Sequence, residues 1–178
     1  MANPMYGQNK ADGALSVFKD AGYELLVGDK TVLESESGKV FGLDATAGDG
    51  TIAVTLPDTT GLQMGVNYTF VIVGESTGAY TINCQDKTDT TGDHFIGGVM
   101  LGAGTATDDA AAGYAQAVAN DSVMTVDQDE SNGGGEAGSV FSVRYLGYDG
   151  GRGQWLVSGN VGTADVDSTG TDIFTNGS

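Results

Sequence analysis

Alternating apolar and polar positions dominate residues 50–84 and predict three strands. In the first, residues 51–56, an apolar side chain recurs at every second position, at Ile52, Val54 and Leu56. This period of two is the pattern of a strand with one buried face. The second and third predicted strands cover residues 66–73 and 79–84, and glycines separate the three segments.

The middle segment, residues 66–73, is apolar on both faces, because Val71 and Val73 oppose the face that carries Tyr68, Phe70 and Ile72. A strand of this kind is typical of the centre of a sheet. We therefore expect the core to be built around this stretch. The predicted core residues are Val54, Leu56, Tyr68, Phe70, Ile72, Ile82 and Trp155.

Outside this stretch, shorter periodic runs predict further strands at residues 23–27, 31–36, 39–43, 95–101, 122–126, 140–146 and 155–157. Residues 107–119 are the best helix candidate, because Thr107 can cap an alanine-rich run that begins with two acidic residues. Residues 13–20 fit either a short helix or a strand.

About nine or ten short strands at regular spacing predict a sandwich or barrel. The predicted fold is all-β: a single β-sandwich or jelly-roll-like domain with one short helix and extended terminal arms. We divide the chain into an N-terminal arm at 1–22, the β-sandwich domain at 23–160 and a C-terminal tail at 161–178.

The charge of the chain excludes one class of partner. Seven basic and 24 acidic residues give a net charge of −17. So acidic a protein is not drawn electrostatically to nucleic acid or to an anionic membrane surface. The negative charge is unevenly distributed along the chain, since residues 1–39 hold four lysines and six acidic residues, a net charge of −2. This near-neutral segment is the part of the chain best suited to docking on another protein surface.

Candidate catalytic groups are few. His94 is the only histidine and Cys84 the only cysteine, and neither falls in a hydrolase, protease or zinc motif. We expect His94 to lie on the surface and Cys84 to be a small apolar core residue. The sequence thus predicts a protein that is not an enzyme and needs no cofactor.

Two acidic clusters could hold a hard cation such as calcium. One contains Asp86, Asp89 and Asp93, and the other Asp127, Asp129 and Glu130. Neither keeps the spacing of a calcium-binding loop, so both are interpreted as solvated loops without metal. Trp155 could stack on a sugar if it were exposed, but a core position is the better interpretation.

Six short segments share a pattern of turn residues and apolar positions: ESGKVF at 36–41, TLP at 55–57, GVNYTFV at 65–71, YTI at 80–82, GSV at 138–140 and WLVSG at 155–159. Together they resemble a β domain common in tailed-bacteriophage virion proteins. The resemblance covers roughly residues 31–160. The resemblance implies a structural virion role, best that of a capsid decoration (cement) protein.

The resemblance implies a structural virion protein on the outer capsid surface, made in the host cytoplasm. Such proteins bind the major capsid protein and bridge capsid subunits, commonly as homotrimers, without nucleic acid, membrane or catalytic residues. The low charge and the apolar residues of the N-terminal arm make it the expected capsid-facing element, through Met5, Tyr6, Leu15, Val17 and Phe18. The alternative for the arm is that it packs on its own domain or on a sister chain of the oligomer. The alternative is a receptor- or glycan-binding module of a fibre or spike, which would use Tyr114, Tyr148 and Trp155 if they were exposed in a groove.

Overall fold

Two β-sheets pack face to face in the computed structural model, which describes residues 22–46, 50–74, 78–88, 90–102, 113–127, 134–162 and 173–177. Sheet A has seven strands: β1 (Tyr23–Leu26), β3 (Val40–Leu43), β5 (Asn67–Ile72), β7 (His94–Gly102), β8 (Gly113–Gln116), β10 (Val140–Asp149) and β11 (Arg152–Gly162). Sheet B has five: β2 (Lys30–Thr31), β4 (Ile52–Thr55), β6 (Tyr80–Asn83), β9 (Val123–Val126) and β12 (Phe174–Thr175). The predicted all-β sandwich class is confirmed.

The first six strands alternate between the two sheets, so that the chain winds through three stacked turns. In sheet A, β1, β3 and β5 are parallel neighbours, and in sheet B the same holds for β2, β4 and β6. Leu26, Leu43 and Ile72 stack in register, although 17 and then 29 positions separate them along the chain. The turns therefore repeat in space without an even spacing in sequence.

Mostly antiparallel strands complete both sheets. Beyond β5, sheet A continues in the order β10, β11, β7 and β8, and only the β11–β7 pair is parallel. Beyond β6, sheet B continues with β9 and β12, both antiparallel. The β10–β11 hairpin turns at Gly150 and Gly151, whose positive φ angles of 60° and 88° suit glycine.

The core lies between the sheets, and the seven residues predicted for it are all fully buried. Phe70 lies at its centre, with ring centroids 5.7 Å from Phe41 and 5.4 Å from Phe141. Trp155 packs against Tyr145 at 5.2 Å. Aromatic rings at these separations add to the hydrophobic stabilisation of the core.

Two secondary-structure predictions are wrong in part. The proposed helix at 107–119 includes residues 113–116, which form β8 and pair antiparallel with β7; residues 107–112 lie outside the described part. Hydrogen bonding to a neighbouring strand outweighs alanine's helix propensity here, and Gly113 weakens that propensity further. The strand predicted at 31–36 ends at Thr31 and is followed by a 3₁₀ helix, Glu34–Glu36.

The sandwich also extends past the boundary predicted at residue 160. Strand β11 continues to Gly162, and β12 pairs with β9 beside the buried Ile173. Part of the predicted tail thus belongs to sheet B. Within the described residues, no helix is long and apolar enough to cross a membrane.

Candidate functional site

The outward face of sheet A carries a row of small side chains that crosses four neighbouring strands. From β5 through β10 and β11 to β7, the row consists of Thr69, Ser142, Ser158 and Gly98. The rows on either side carry larger residues. One is Val71, Val140, Asn160 and Met100, and the other is Asn67, Arg144, Leu156 and Ile96. A row of small residues between two rows of larger ones forms a depression across the strands, which we call the trough.

Two adjoining cavities of about 300 and 320 Å³ occupy the trough. They share the three hydroxyl residues of its floor, Thr69, Ser142 and Ser158. The Ser142 and Ser158 hydroxyl oxygens lie 3.2 Å apart. The floor of the trough thus offers a line of groups that both donate and accept hydrogen bonds.

A tyrosine closes one end of the trough. Tyr114, on the edge strand β8, is 54% exposed, and its ring lies over Gly98. A methyl group at Gly98 would clash with the Ala115 carbonyl oxygen and come within 2.9 Å of the Tyr114 Cζ atom, so this glycine allows both the backbone of β8 and the ring to lie close. Tyr23, on the opposite edge of sheet A, lies over Gly42 in the same way.

Arg144 is the notable charge of the trough. Its guanidinium group has no ion-pair or hydrogen-bond partner among the described residues. The other cations in that part of the chain are all engaged: Lys30 and Lys39 with glutamates, Lys87 with Asn83, and Arg152 with Gly92 and Asn120. No described Asp or Glu lines either cavity. As far as the described residues go, this face is open to an anion, in a chain of net charge −17.

A second cluster fixes β1 to the rest of the domain, where residues 1–21 join it. Lys30 Nζ lies 2.6 Å from Glu24 and 2.9 Å from Glu36, and Lys39 Nζ lies 3.1 and 3.0 Å from the same two carboxylates. We call these four residues the β1 clamp. Each lysine bridges both glutamates, so the clamp connects β1, β2, the 3₁₀ helix and the start of β3.

The electrostatics of the β1 clamp favour its charged form. Burial would raise the pKa of Glu36, but hydrogen bonds from the Leu33 amide and from both lysines lower that pKa to about 2. The hydrogen bond from Lys30 lowers the pKa of Glu24. All four groups are therefore ionised at neutral pH.

A third cluster of polar groups is buried at the start of β7. Asp93 is 5% exposed, and its Oδ1 accepts hydrogen bonds from the Thr59 hydroxyl at 2.7 Å and the Gly153 amide at 3.1 Å. The Thr59 hydroxyl also lies 3.2 Å from the Tyr148 hydroxyl. Desolvation raises the pKa of Asp93. These contacts tie the β10–β11 hairpin to β7 and to the loop after β4.

His94 follows Asp93 in the chain and is buried as well, so the expectation of a surface histidine is wrong. It is only 8% exposed, because it begins β7 beside β11 instead of ending the polar loop. Burial lowers the pKa of His94, and nearby Arg152 lowers it further. Among the described residues, four buried polar atoms have no partner: Asp93 Oδ2, His94 Nδ1, Arg152 Nη2 and Trp155 Nε1.

The buried imidazole makes stability depend on pH. The pKa of His94 in the folded protein lies below the ordinary value of 6.5, so the unfolded chain binds more protons as pH falls through this value. We expect wild-type protein to lose stability between pH 7 and pH 5, and His94→Gln to lose less. Urea unfolding across this range measures the difference. Parallel curves for the two proteins would contradict the assignment, since Asp93 and Asp149 are common to both.

Other predicted site residues fall in different places. The structure brings together no group of three or more metal-ligating residues among those it describes; Asp89, Asp129 and Glu130 lie outside that part. Cys84 is buried, and burial raises the pKa of its thiol well above the ordinary value, which makes it a poor nucleophile. Trp155 is buried, whereas Tyr114 and Tyr148 are exposed. Met5, Tyr6, Leu15, Val17 and Phe18 lie outside the described residues.

Sequence reasoning missed the trough and its arginine. The alternation in β10 and β11 places Ser142, Arg144 and Ser158 on the outward face, but only the strand order aligns them with Thr69 and Gly98. No family model, curated protein or solved structure matches this chain.

Proposed function

We propose that this chain is a structural virion protein that binds the outer surface of a tailed-phage capsid, as the sequence resemblance implies. It stabilises the shell by bridging subunits of the major capsid protein. In this proposal it acts as a homo-oligomer, with the trimer as the state that the resemblance implies, and it needs neither cofactor nor catalysis.

The β1 clamp is the observation that carries this proposal. A segment that holds a domain on a shell must pass force to that domain through the strand to which it is attached. Strand β1 is held to β3 by parallel pairing and to β2 and the 3₁₀ helix by the clamp. The near-neutral N-terminal arm thus begins from a fixed base, and contacts made by several arms of an oligomer multiply one another.

The second candidate, a receptor- or glycan-binding module of a fibre or spike, keeps part of its support. Trp155 is buried and cannot take part, but Tyr114 is exposed at the end of the trough. A trough used for ligand binding is compatible with a decoration protein, because the proposed docking element is the N-terminal arm. What separates the two candidates is whether the chain binds a capsid shell.

Deletion of Met1–Gly13 tests the docking role of the arm. We expect the shortened protein to unfold at the same urea concentration as wild type, because β1 begins only at Tyr23. We also expect its affinity for undecorated shells, assembled from the major capsid protein of the same phage, to fall about tenfold or more, because linked contacts are lost. Cosedimentation with shells measures this loss.

Arg144→Gln is the matched control for the shell experiment. It alters the trough but leaves the arm and the β1 clamp intact, so its shell binding should equal that of wild type. Full occupancy and unchanged affinity of the shortened protein would place the docking surface elsewhere. Failure of wild-type protein to bind shells would refute the decoration function itself.

A further inference from the structure

We propose that the trough binds a carboxylate-bearing saccharide, with Arg144 pairing with the carboxylate. The floor hydroxyls of Thr69, Ser142 and Ser158 bind sugar hydroxyls, and Tyr114 stacks on a sugar ring at the closed end. This binding activity is separate from attachment to a capsid, because it uses the outward face of sheet A and not the N-terminal arm.

The shape of the trough fits an extended ligand. From Thr69 on β5 to Ser158 on β11, the open floor crosses two inter-strand spacings, which amounts to about 10 Å, and the Tyr114 ring over Gly98 ends it. The two cavities within it adjoin and share floor residues. A ligand of this length lies across the strands, as a short oligosaccharide can, and it is larger than a simple anion.

The hydrogen-bonding groups of the floor match sugar hydroxyls. Each Ser or Thr hydroxyl donates one hydrogen bond and accepts others. Asn67 and Asn160 add side-chain amides in the two flanking rows, and the Asn67 Nδ2 also donates to the Gly65 carbonyl oxygen at 3.0 Å. The backbone groups of β5, β10 and β11 are engaged in pairing within sheet A. A peptide cannot add to this face as a further strand, because strand addition requires a free sheet edge.

The charge of the trough selects an anion. Arg144 is the described cation without a partner, and no described carboxylate lines the cavities. A guanidinium recognises a carboxylate through paired, charge-assisted hydrogen bonds. Most of the surface of so acidic a chain would repel such a ligand, which leaves this face as the favoured place for it.

The apolar surfaces beside the floor complete the match. Leu156 lies next to Arg144 in one of the two rows that flank the floor, and Val140 lies in the other. The ring of Tyr114 is exposed where the floor ends. A pyranose ring has one apolar C–H face and a rim of hydroxyls, so it can use both kinds of surface at once.

Calorimetric titration of the isolated full chain tests the proposal with four probes: trigalacturonate, its methyl ester, 3′-sialyllactose and lactose. We expect at least one acidic saccharide to bind about tenfold more tightly than its neutral counterpart, and Arg144→Gln to weaken that binding about ten- to a hundredfold, the effect of losing a hydrogen bond to a charged group. Tyr114→Ala should weaken it as well. Lys87→Gln, which removes one positive charge elsewhere, should leave binding unchanged.

With these probes, any of the following would overturn the proposal: no binding of either acidic saccharide, equal binding of the acidic and neutral probes, or equal losses for Arg144→Gln and Lys87→Gln. A triglutamate peptide that bound as tightly as the acidic saccharides would also overturn it, and would assign the trough to protein carboxylates. Thermal unfolding of each variant verifies the fold. Since these titrations contain no shells, their failure is distinguishable from failure of the decoration function.

Discussion

Replacement of Phe70 by alanine should lower the free energy of unfolding by about 3–5 kcal/mol, the usual cost of removing a fully buried phenylalanine. The side chain has no exposed surface, and its ring lies between those of Phe41 and Phe141 in the centre of sheet A. Alanine would leave a cavity flanked by two rigid rings that cannot close over it. Urea unfolding followed by tryptophan fluorescence measures the loss, because Trp155 is the only tryptophan.

Two variants make this prediction decisive. Val73→Ala, just beyond the end of β5 and 45% exposed, should change stability by about 0.5 kcal/mol or less, as surface substitutions do. Phe70→Leu retains part of the buried volume and should give an intermediate loss in case the alanine variant does not fold. An unfolding midpoint for Phe70→Ala equal to that of wild type would show that the core is assigned to the wrong face of β5.

The core could be predicted because a strand's period is set by backbone geometry alone. Tyr68, Phe70 and Ile72 alternate with Thr69 and Val71, and the structure buries the first three. The same pattern defined the central position of β5, which lies between β3 and β10. The pattern wrongly predicts that the second face of β5 is buried too, however. Val71 on that face is only half-buried and belongs to a row that flanks the floor of the trough.

The path of the chain between the sheets could not be predicted from periodicity. Alternation reports which face of a strand is buried and says nothing about which strand lies beside it. The turns that connect Leu26, Leu43 and Ile72 differ in length by 12 positions, so no repeat marks the parallel stacking. The β8 segment shows the same limit, because its pairing with β7 is long-range and its composition is typical of a helix.

The candidate site depends on register even more strongly than the fold does. Ser142, Ser158 and Gly98 come from three strands, and nothing in their local sequence indicates that they lie side by side. In the sequence, Tyr114 stands out only as an aromatic candidate for a glycan site. The polar residues that precede His94 predict a surface position, whereas the structure buries it at the start of β7, beside β11.

Replacement of Glu36 by glutamine should destabilise the protein by about 2–3 kcal/mol at neutral pH, as an order of magnitude. Glu36 is the best-connected member of the β1 clamp, since one carboxylate oxygen accepts from Lys30 and Lys39 and the other from the Leu33 amide. Its side chain is only 12% exposed. A pKa of about 2 in the folded state, against an ordinary value of 4.5, corresponds to about 3.4 kcal/mol of stabilisation by the ionised form. Solvent screening of this partly exposed group reduces that figure to the expected loss.

The pH dependence of that loss identifies its cause. Because the folded-state pKa of Glu36 is lowered, the stabilisation is fully present above pH 4.5 and disappears as pH falls towards 2. Wild type and Glu36→Gln should therefore differ most at neutral pH and converge in acid, as measured by unfolding in urea. Glu34→Gln is the matched control, since Glu34 belongs to the same 3₁₀ helix but accepts a single 3.2 Å bond from the Gln63 amide at an exposed position. A loss for Glu36→Gln that stayed constant down to pH 2, or that Glu34→Gln equalled, would show that the ionised carboxylate of Glu36 in the clamp is not the source of the stabilisation.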